Sequence, residues 1–552
     1  MAWHKGQIKE GRLILSEKKQ SYLGGAAILA ATVALTKVIG AIYKIPLYNI
    51  LGDEGTAHFQ VMYTIYNLIL TIATAGIPVA LSRLISSSNA LGKNMQVKRY
   101  FATGLGLIAV VGIVGCAIMF FGAQPLANLM EDYEVVNGVK VLAPAVLFAC
   151  IMSVYRGYSQ GFGNMMPTSI SQIVEVLCKL VFGLPIAWLL LKKGVNSADV
   201  AAGAIVGVTI GLALTIPILV WYKHRMDREN LKPIADPDIP MSRSATVKQI
   251  LKIGIPITLG SSIMNIITLI DTKFILQRLQ EGAMIDYTTS KVLYGVYSKG
   301  LTLFNMPAAF ITPIAVSVVP FIAAAIAKKE HKEAKGIMES SLKITSLLGI
   351  PAGVGICVLA EPIFNLLYPN SHEIGPSLLA VLGLASYFVC TYIVTNAILQ
   401  ASGHERLALL ALPIGGIVKI AANWIFVGNP DINISGAPFG TLLCYLVITV
   451  MNFAFIMAKV KEHPSIVKTV LKPLLCSVIM GVCAWAVYYL LEKVGAGILG
   501  TGALATIIYL GITIFVAVIV YFVLVIVTKA LTKEDMKLIP KGEKIAKILK
   551  IR

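Results

Sequence analysis

From residue 22 to residue 528 the chain is a succession of apolar runs. Each is long enough, at about twenty residues or more, to cross a bilayer as an α-helix. Fourteen can be read: 22–50, 57–85, 100–122, 137–158, 167–191, 198–222, 249–276, 290–326, 338–360, 376–400, 406–428, 433–458, 467–491 and 502–528. With 57% hydrophobic residues, 14% charged and a mean hydropathy of +0.79, a soluble domain of 552 residues could not keep this much apolar surface from water. The weak alternation of a membrane β-barrel is missing. The expected fold class is an all-α polytopic membrane protein of about fourteen transmembrane helices.

Residues 1–21 are polar and basic, and no small-residue cleavage site follows the first run, which therefore reads as a retained span. Cys116, Cys150, Cys178, Cys357, Cys390, Cys444, Cys476 and Cys483 all fall inside expected spans without ligand spacing, so neither a disulfide nor a metal is assigned. The net charge of +19 follows topology and gives no reason to expect nucleic acid. Lys and Arg crowd the N-terminal tail, 93–99, 223–248, 328–335, 459–472 and the tail 529–552, about thirty against about four in the alternate loops. The alternate loops carry the acidic "GDEG" (52–55) and "MEDYE" (130–134); only 192–199, with Lys192 and Lys193, departs from the pattern. Both termini are then expected in the cytoplasm of a cell-membrane protein. The tail "GEKIAKILKIR" reads as a basic amphipathic segment on the anionic inner leaflet.

The chain also repeats itself. "QGFGNMMPTSISQIVEVLCKLVFG" (160–183) is similar to "QASGHERLALLALPIGGIVKIAAN" (400–423), with Gln160 to Lys179 and Gln400 to Lys419 both nineteen residues apart. "GAIVG" (203–207) and "GAPFG" (436–440) follow, and "AGIPVA" (75–80) echoes "FNMPAA" (304–309). The expected organisation is a basic tail (1–21), a six-span lobe (22–222), a cytoplasmic linker (223–248), a second six-span lobe (249–458), two further spans (459–528) and a basic tail (529–552). Paired bundles of this kind are the transporter design.

Charge inside spans is costly and marks function by default. At about 1.5 Å per residue from Tyr22, Lys37 lies roughly 20 Å into span 1. Lys44 is seven residues on, on the same face, where it can bind ligand or snorkel. Lys299 lies about a third of the way into span 8 and Arg83 at the cytoplasmic end of span 2, an anchor or a ligand contact. Cations outnumbering acids point to an anionic ligand, and a diphosphate suits several donors at once. This reading expects unpaired ammonium groups at Lys37 and Lys299 and would fail if each were already locked to a neighbouring carboxylate. Glu175 and Lys179, i and i+4, read as a structural ion pair. Asp271, Lys419 and Asn423 form either a static cluster or a proton or cation site of a transport cycle.

"TKVIGAIYKIPL", "GIPVALSRLIS", "RGYSQGFGNMMPTSISQ", "LYGVYSKGLTLFNMP" and "NAILQASGHERL" resemble the SpoVB/YtgP group of polysaccharide-biosynthesis membrane proteins, which includes the MurJ-type lipid II flippases of the MOP exporter superfamily. The resemblance implies a V-shaped, MATE-like pair of six-helix bundles plus two C-terminal helices, flipping undecaprenyl-diphosphate-linked sugars from inner to outer leaflet through a central cationic cavity. It implies Lys37 and Lys299 at basic cavity positions; the second basic position of span 1 matches Tyr43, with Lys44 one residue on, and Arg83 does not match by spacing. Cell-wall synthesis proteins are expected as partners and the chain as a monomer; with no P-loop in the sequence, no cofactor is expected beyond an ion gradient or membrane potential. Some members hold sodium between spans 7, 11 and 12; Asp271 and Asn423 are the counterparts, and Lys419 is expected to replace the ion.

Three rivals are weighed. A multidrug exporter calls for acids in the first lobe, where the only deep one is Glu175. A glycosyltransferase would use the DxD-like Asp236 and Asp238 of "ADPDIP", but that loop is too short for a nucleotide-sugar domain. A non-transporting scaffold would tolerate neutral residues at 37 and 299. No catalytic motif is found, so no enzyme is expected.

Overall fold

The computed structural model describes residues 2–231, 238–461, 463–495, 500 and 502–530, with side chains from 32 onward except at 34. The side chains of the basic tail 1–21, Asp236 and the amphipathic segment after 530 lie outside the described residues. Helices account for nearly all of the described chain: α1 (Ala2–Thr74), α2 (Gly76–Ala90), α3 (Asn94–Phe121), α4 (Ala123–Leu129), α5 (Val136–Gly161), α6 (Met166–Cys178), α7 (Leu184–Lys192), α8 (Ser197–Asn230), α9 (Arg243–Gln277), α10 (Tyr287–Phe304), α11 (Met306–Ala327), α12 (His331–Val358), α13 (Ala360–Leu367), α14 (Gly375–Ala401), α15 (Glu405–Phe426), α16 (Gly436–Lys459), α17 (Ile466–Gly495) and α18 (Ala503–Val527).

Thirteen helical segments among the described residues are long and apolar enough to cross a membrane, the first of them the 56-residue stretch Leu35–Ala90. That stretch contains two of the runs read from the sequence, separated at Gly52, whose φ of 70° breaks α1. The protein is thus an all-α, multi-pass membrane protein. Runs read as single helices are interrupted where the sequence gives a reason. Span 5 is α6 and α7 joined by a π-turn over Lys179–Gly183. "AGIPVA" separates α1 from α2 and "FNMPAA" separates α10 from α11, because Pro78 and Pro307 can enter a first turn but cannot continue the preceding helix. The two echoing motifs do the same job in the two halves.

The chain forms two compact units, residues 1–43 with 61–266, and 44–60 with 267–552. In the first, α5 packs on α2, α3 and α8, and α8 also holds α6 and α7. Glycines bring those helices close: a Cβ on Gly207 would sit 2.6 Å from the Gly183 nitrogen. Before α9 the chain is pinned at Asp238, whose carboxylate accepts the first N–H groups of α3, from Met95 at 2.7 Å and Gln96 at 2.9 Å. That capping role is a structural use of the DxD-like triplet.

In the second unit α14 packs on α10, α11, α12 and α16, while α17 and α18 pair and dock on α12. The docking core is Leu347, Cys476, Met480, Ala484, Ala517 and Tyr521, with the Tyr521 hydroxyl donating to the Leu347 carbonyl at 2.8 Å. Helix α10 is almost wholly buried. It starts at Asp286, whose carboxylate accepts from the Thr289 N–H at 2.9 Å, and this hydrogen bond holds the carboxyl below its ordinary pKa.

Candidate functional site

Helix α10 carries Lys299, only 2% exposed, and the structure gives it a carboxylate. The φ of 70° at Gly52 is left-handed, a conformation glycine adopts without a Cβ clash, and it turns the chain so that Asp53 starts the next helical stretch. The Asp53 main chain lies against Gly295, where any Cβ would overlap its carbonyl oxygen. One turn along α10, the Asp53 Oδ1 is 2.5 Å from the Lys299 Nζ. Asp53 is also held independently: Ser371 Oγ donates to Oδ1 at 2.6 Å and the His372 N–H to Oδ2 at 2.8 Å. Lys299 has lesser contacts with Ser371 Oγ at 3.4 Å and the Tyr368 ring at 5.2 Å.

The expectation that Lys299 is free of acids is therefore corrected. "GDEG" reads as an outer-loop acid cluster, yet Asp53 reaches a lysine 246 residues away because the break at Gly52 folds it onto α10.

The other three candidate cations are placed as follows. Lys44 is half-buried in the second unit, its Nζ 5.8 Å from the ring of the fully buried Tyr48. The same stretch is fixed by Asn49, which donates to the Leu367 carbonyl at 2.8 Å. Lys37 and Arg83 belong to the first unit, both exposed, Lys37 on α1 and Arg83 toward the end of α2. A further lysine that the charge pattern did not single out, Lys291, is fully buried one turn into α10 with its Nζ 4.7 Å from the Tyr287 ring.

Deeper in the second unit, α9 and α15 bring Asp271, Lys419 and Asn423 together. Lys419 Nζ is 2.7 Å from Asp271 Oδ2, and Asn423 Nδ2 donates to Asp271 Oδ1 at 2.5 Å. Asp271 is 5% exposed and Asn423 fully buried. Gly440 on α16 leaves room for Asn423, since a Cβ there would overlap its Oδ1. Both carboxylate oxygens are thus engaged by donors, one of them an ammonium. These residues do not fit a sodium ion: the positive charge of the site is already supplied by Lys419.

The first unit holds the matching cluster. Lys179 Nζ is 3.0 Å from Glu175 Oε1 and donates to the Tyr63 hydroxyl at 3.3 Å. Arg156, from α5, enters the same cluster; its Nε donates to Ser171 Oγ at 2.7 Å and its Nη2 is 3.6 Å from Glu175 Oε2. Sequence spacing could pair Glu175 with Lys179 but could not bring in Arg156 from another helix. Its one signal was a charge near the end of an apolar run.

The lysines of the two clusters occupy equivalent places in the repeat. Four residues after Lys179 stands Gly183, packed on Gly207; four after Lys419 stands Asn423, packed on Gly440.

Residues 22–326 match the family described as "Polysaccharide biosynthesis protein". The "Uncharacterized membrane protein YabM" of Bacillus subtilis is 26% identical over 528 residues, 96% of either chain. "Lipid II flippase MurJ" of Bacillus subtilis is 25% identical over 492 residues, covering 85% of this chain and 89% of that one. Among solved structures, "Lipid II flippase MurJ, inward closed conformation" superposes with a TM-score of 0.64 at 15% identity, over 91% of this chain and 98% of that one, a likeness of fold.

Proposed function

The chain belongs to the polysaccharide biosynthesis protein family, and from that premise we propose that it is a flippase for a diphosphate-linked lipid saccharide, with lipid II as the cargo that fits best. The full-length similarity to a MurJ flippase supports the class. Alternating access between two six-span lobes, with both termini cytoplasmic and an ion gradient or the membrane potential as the energy source, completes the reading.

One observation carries it. A buried ammonium needs an anion, and the one Lys299 has is held by other donors as well. Asp53 keeps a hydroxyl donor and a backbone N–H when Lys299 departs, so its carboxylate is not orphaned. Lys299, with a 3.4 Å contact to Ser371 and a tyrosine face besides, is the partner that must be re-neutralised. A diphosphate does this. Asp53 is then the resident counter-anion, and the head group takes its place at the Lys299 ammonium. Lys37 and Arg83, exposed in the first unit, and Lys44, in the second, are the further basic positions that this reading assigns to the head group's route. Lys419 acts as a built-in cation on Asp271, so that transport does not require sodium.

The test is a flipping assay in reconstituted vesicles with lipid II, and with the same carrier bearing a neutral glycan. Wild type accelerates transfer of lipid II over empty vesicles, and Lys37→Ala and Lys299→Ala lose most of that rate. Equal rates with and without protein would refute the flippase reading; equal rates for both cargoes would replace lipid II by the broader class.

A further inference from the structure

The clusters built on the two equivalent lysines differ in charge. Around Asp271 there is one ammonium for one carboxylate. Around Glu175 there are two cations, Lys179 and Arg156, for the same single carboxylate. A cluster with only a structural role is expected to be neutral, because net charge in a low-dielectric interior is costly. The excess is localised: Arg156 Nη2 is buried and makes no hydrogen bond, being beyond reach of Glu175 at 3.6 Å. The side chains of Arg156, Glu175 and Lys179 retain 17%, 20% and 15% exposure, so the cluster is not sealed on every side although the idle nitrogen itself is buried. A π-turn starts at Lys179, a helix irregularity that recurs at functional sites.

We propose that Arg156 and Lys179, with Glu175 between them, form a site in the first unit for a small monovalent anion, a halide or a carboxylate. One negative charge brings the cluster to neutrality and satisfies the idle guanidinium N–H groups. The lone carboxylate sets the selectivity: it holds the two cations in place and leaves one charge to be matched, so a dianion would overfill the site. The proposal concerns a different place from Asp53 and Lys299, and it stands whether or not the cargo is lipid II.

The experiment measures thermal unfolding of the purified full chain in detergent at constant ionic strength, with the sodium salt of a bulky sulfonate buffer replaced stepwise by sodium chloride or by sodium acetate. Wild type gains a saturable rise in midpoint with at least one of the two, and which one separates a halide site from a carboxylate site. Arg156→Gln, whose cluster is neutral, shows no such rise. Glu175→Gln, carrying one more unmatched charge, half-saturates at roughly tenfold lower anion concentration or less. The readout is anion dependence, so a variant that is merely less stable does not mimic the result. Equal anion responses in wild type and Arg156→Gln would overturn the proposal. Should Arg156→Gln not fold, a Glu175→Gln response no tighter than wild type would overturn it alone.

Discussion

The pair between Asp53 and Lys299 makes a quantitative demand. In Asp53→Asn the side chain still accepts hydrogen bonds, but a 2%-exposed ammonium loses its counter-charge. Breaking a buried pair from one side costs about 3–5 kcal/mol. The Ser371 and Tyr368 contacts of Lys299 persist, which places this change near the lower end, about 3 kcal/mol, or a factor of about 150 in the population of this conformation. Lys299→Met leaves Asp53 with the Ser371 hydroxyl and the His372 N–H, and should cost less, about 1.5 kcal/mol. The double variant removes both charges and should cost about as much as Lys299→Met alone. The coupling between the two sites is then about 3 kcal/mol. Reversible unfolding in mixed micelles, followed by intrinsic fluorescence, measures all four corners of the cycle. Additivity within about 0.5 kcal/mol would show that the two groups do not depend on one another, and the displaceable counter-anion would have to be abandoned.

Two further outcomes follow from close approaches and from the built-in cation. Gly295→Ala puts a methyl group into the Asp53 carbonyl, so it should disrupt the pair as severely as Asp53→Asn while changing no charge; a variant with wild-type stability and transport would show that the close approach is unimportant. Transport by wild type should be unchanged when sodium is replaced by choline, and Lys419→Ala should lose activity because Asp271 is left buried without its cation; sodium-stimulated transport by wild type would end the idea.

How far the sequence could be read depended on the range of the forces involved. Spans were legible because crossing a bilayer sets a length, and the helices fall where the apolar runs do. The repeat was legible because Lys179 and Lys419 keep one spacing from their glutamines, and the structure shows why that register matters: the residue four further on in each half, Gly183 or Asn423, lies where a glycine of the next span lets the helices close. Glu175 with Lys179 needed only helical geometry. Asp53 and Arg156 obeyed no local rule. Whether Asp53 faces water or a lysine hangs on the sign of one φ angle, at Gly52, and on a missing side chain at Gly295 in a helix far along the chain. Arg156 meets Glu175 only through the packing of α5 beside α6, which no spacing encodes. Counting cations against acids within spans therefore overstated the free charge at Lys299 and missed it at Arg156. In membrane chains the acids at helix breaks belong in that count, because a break is where the backbone can deliver a carboxylate to a buried lysine.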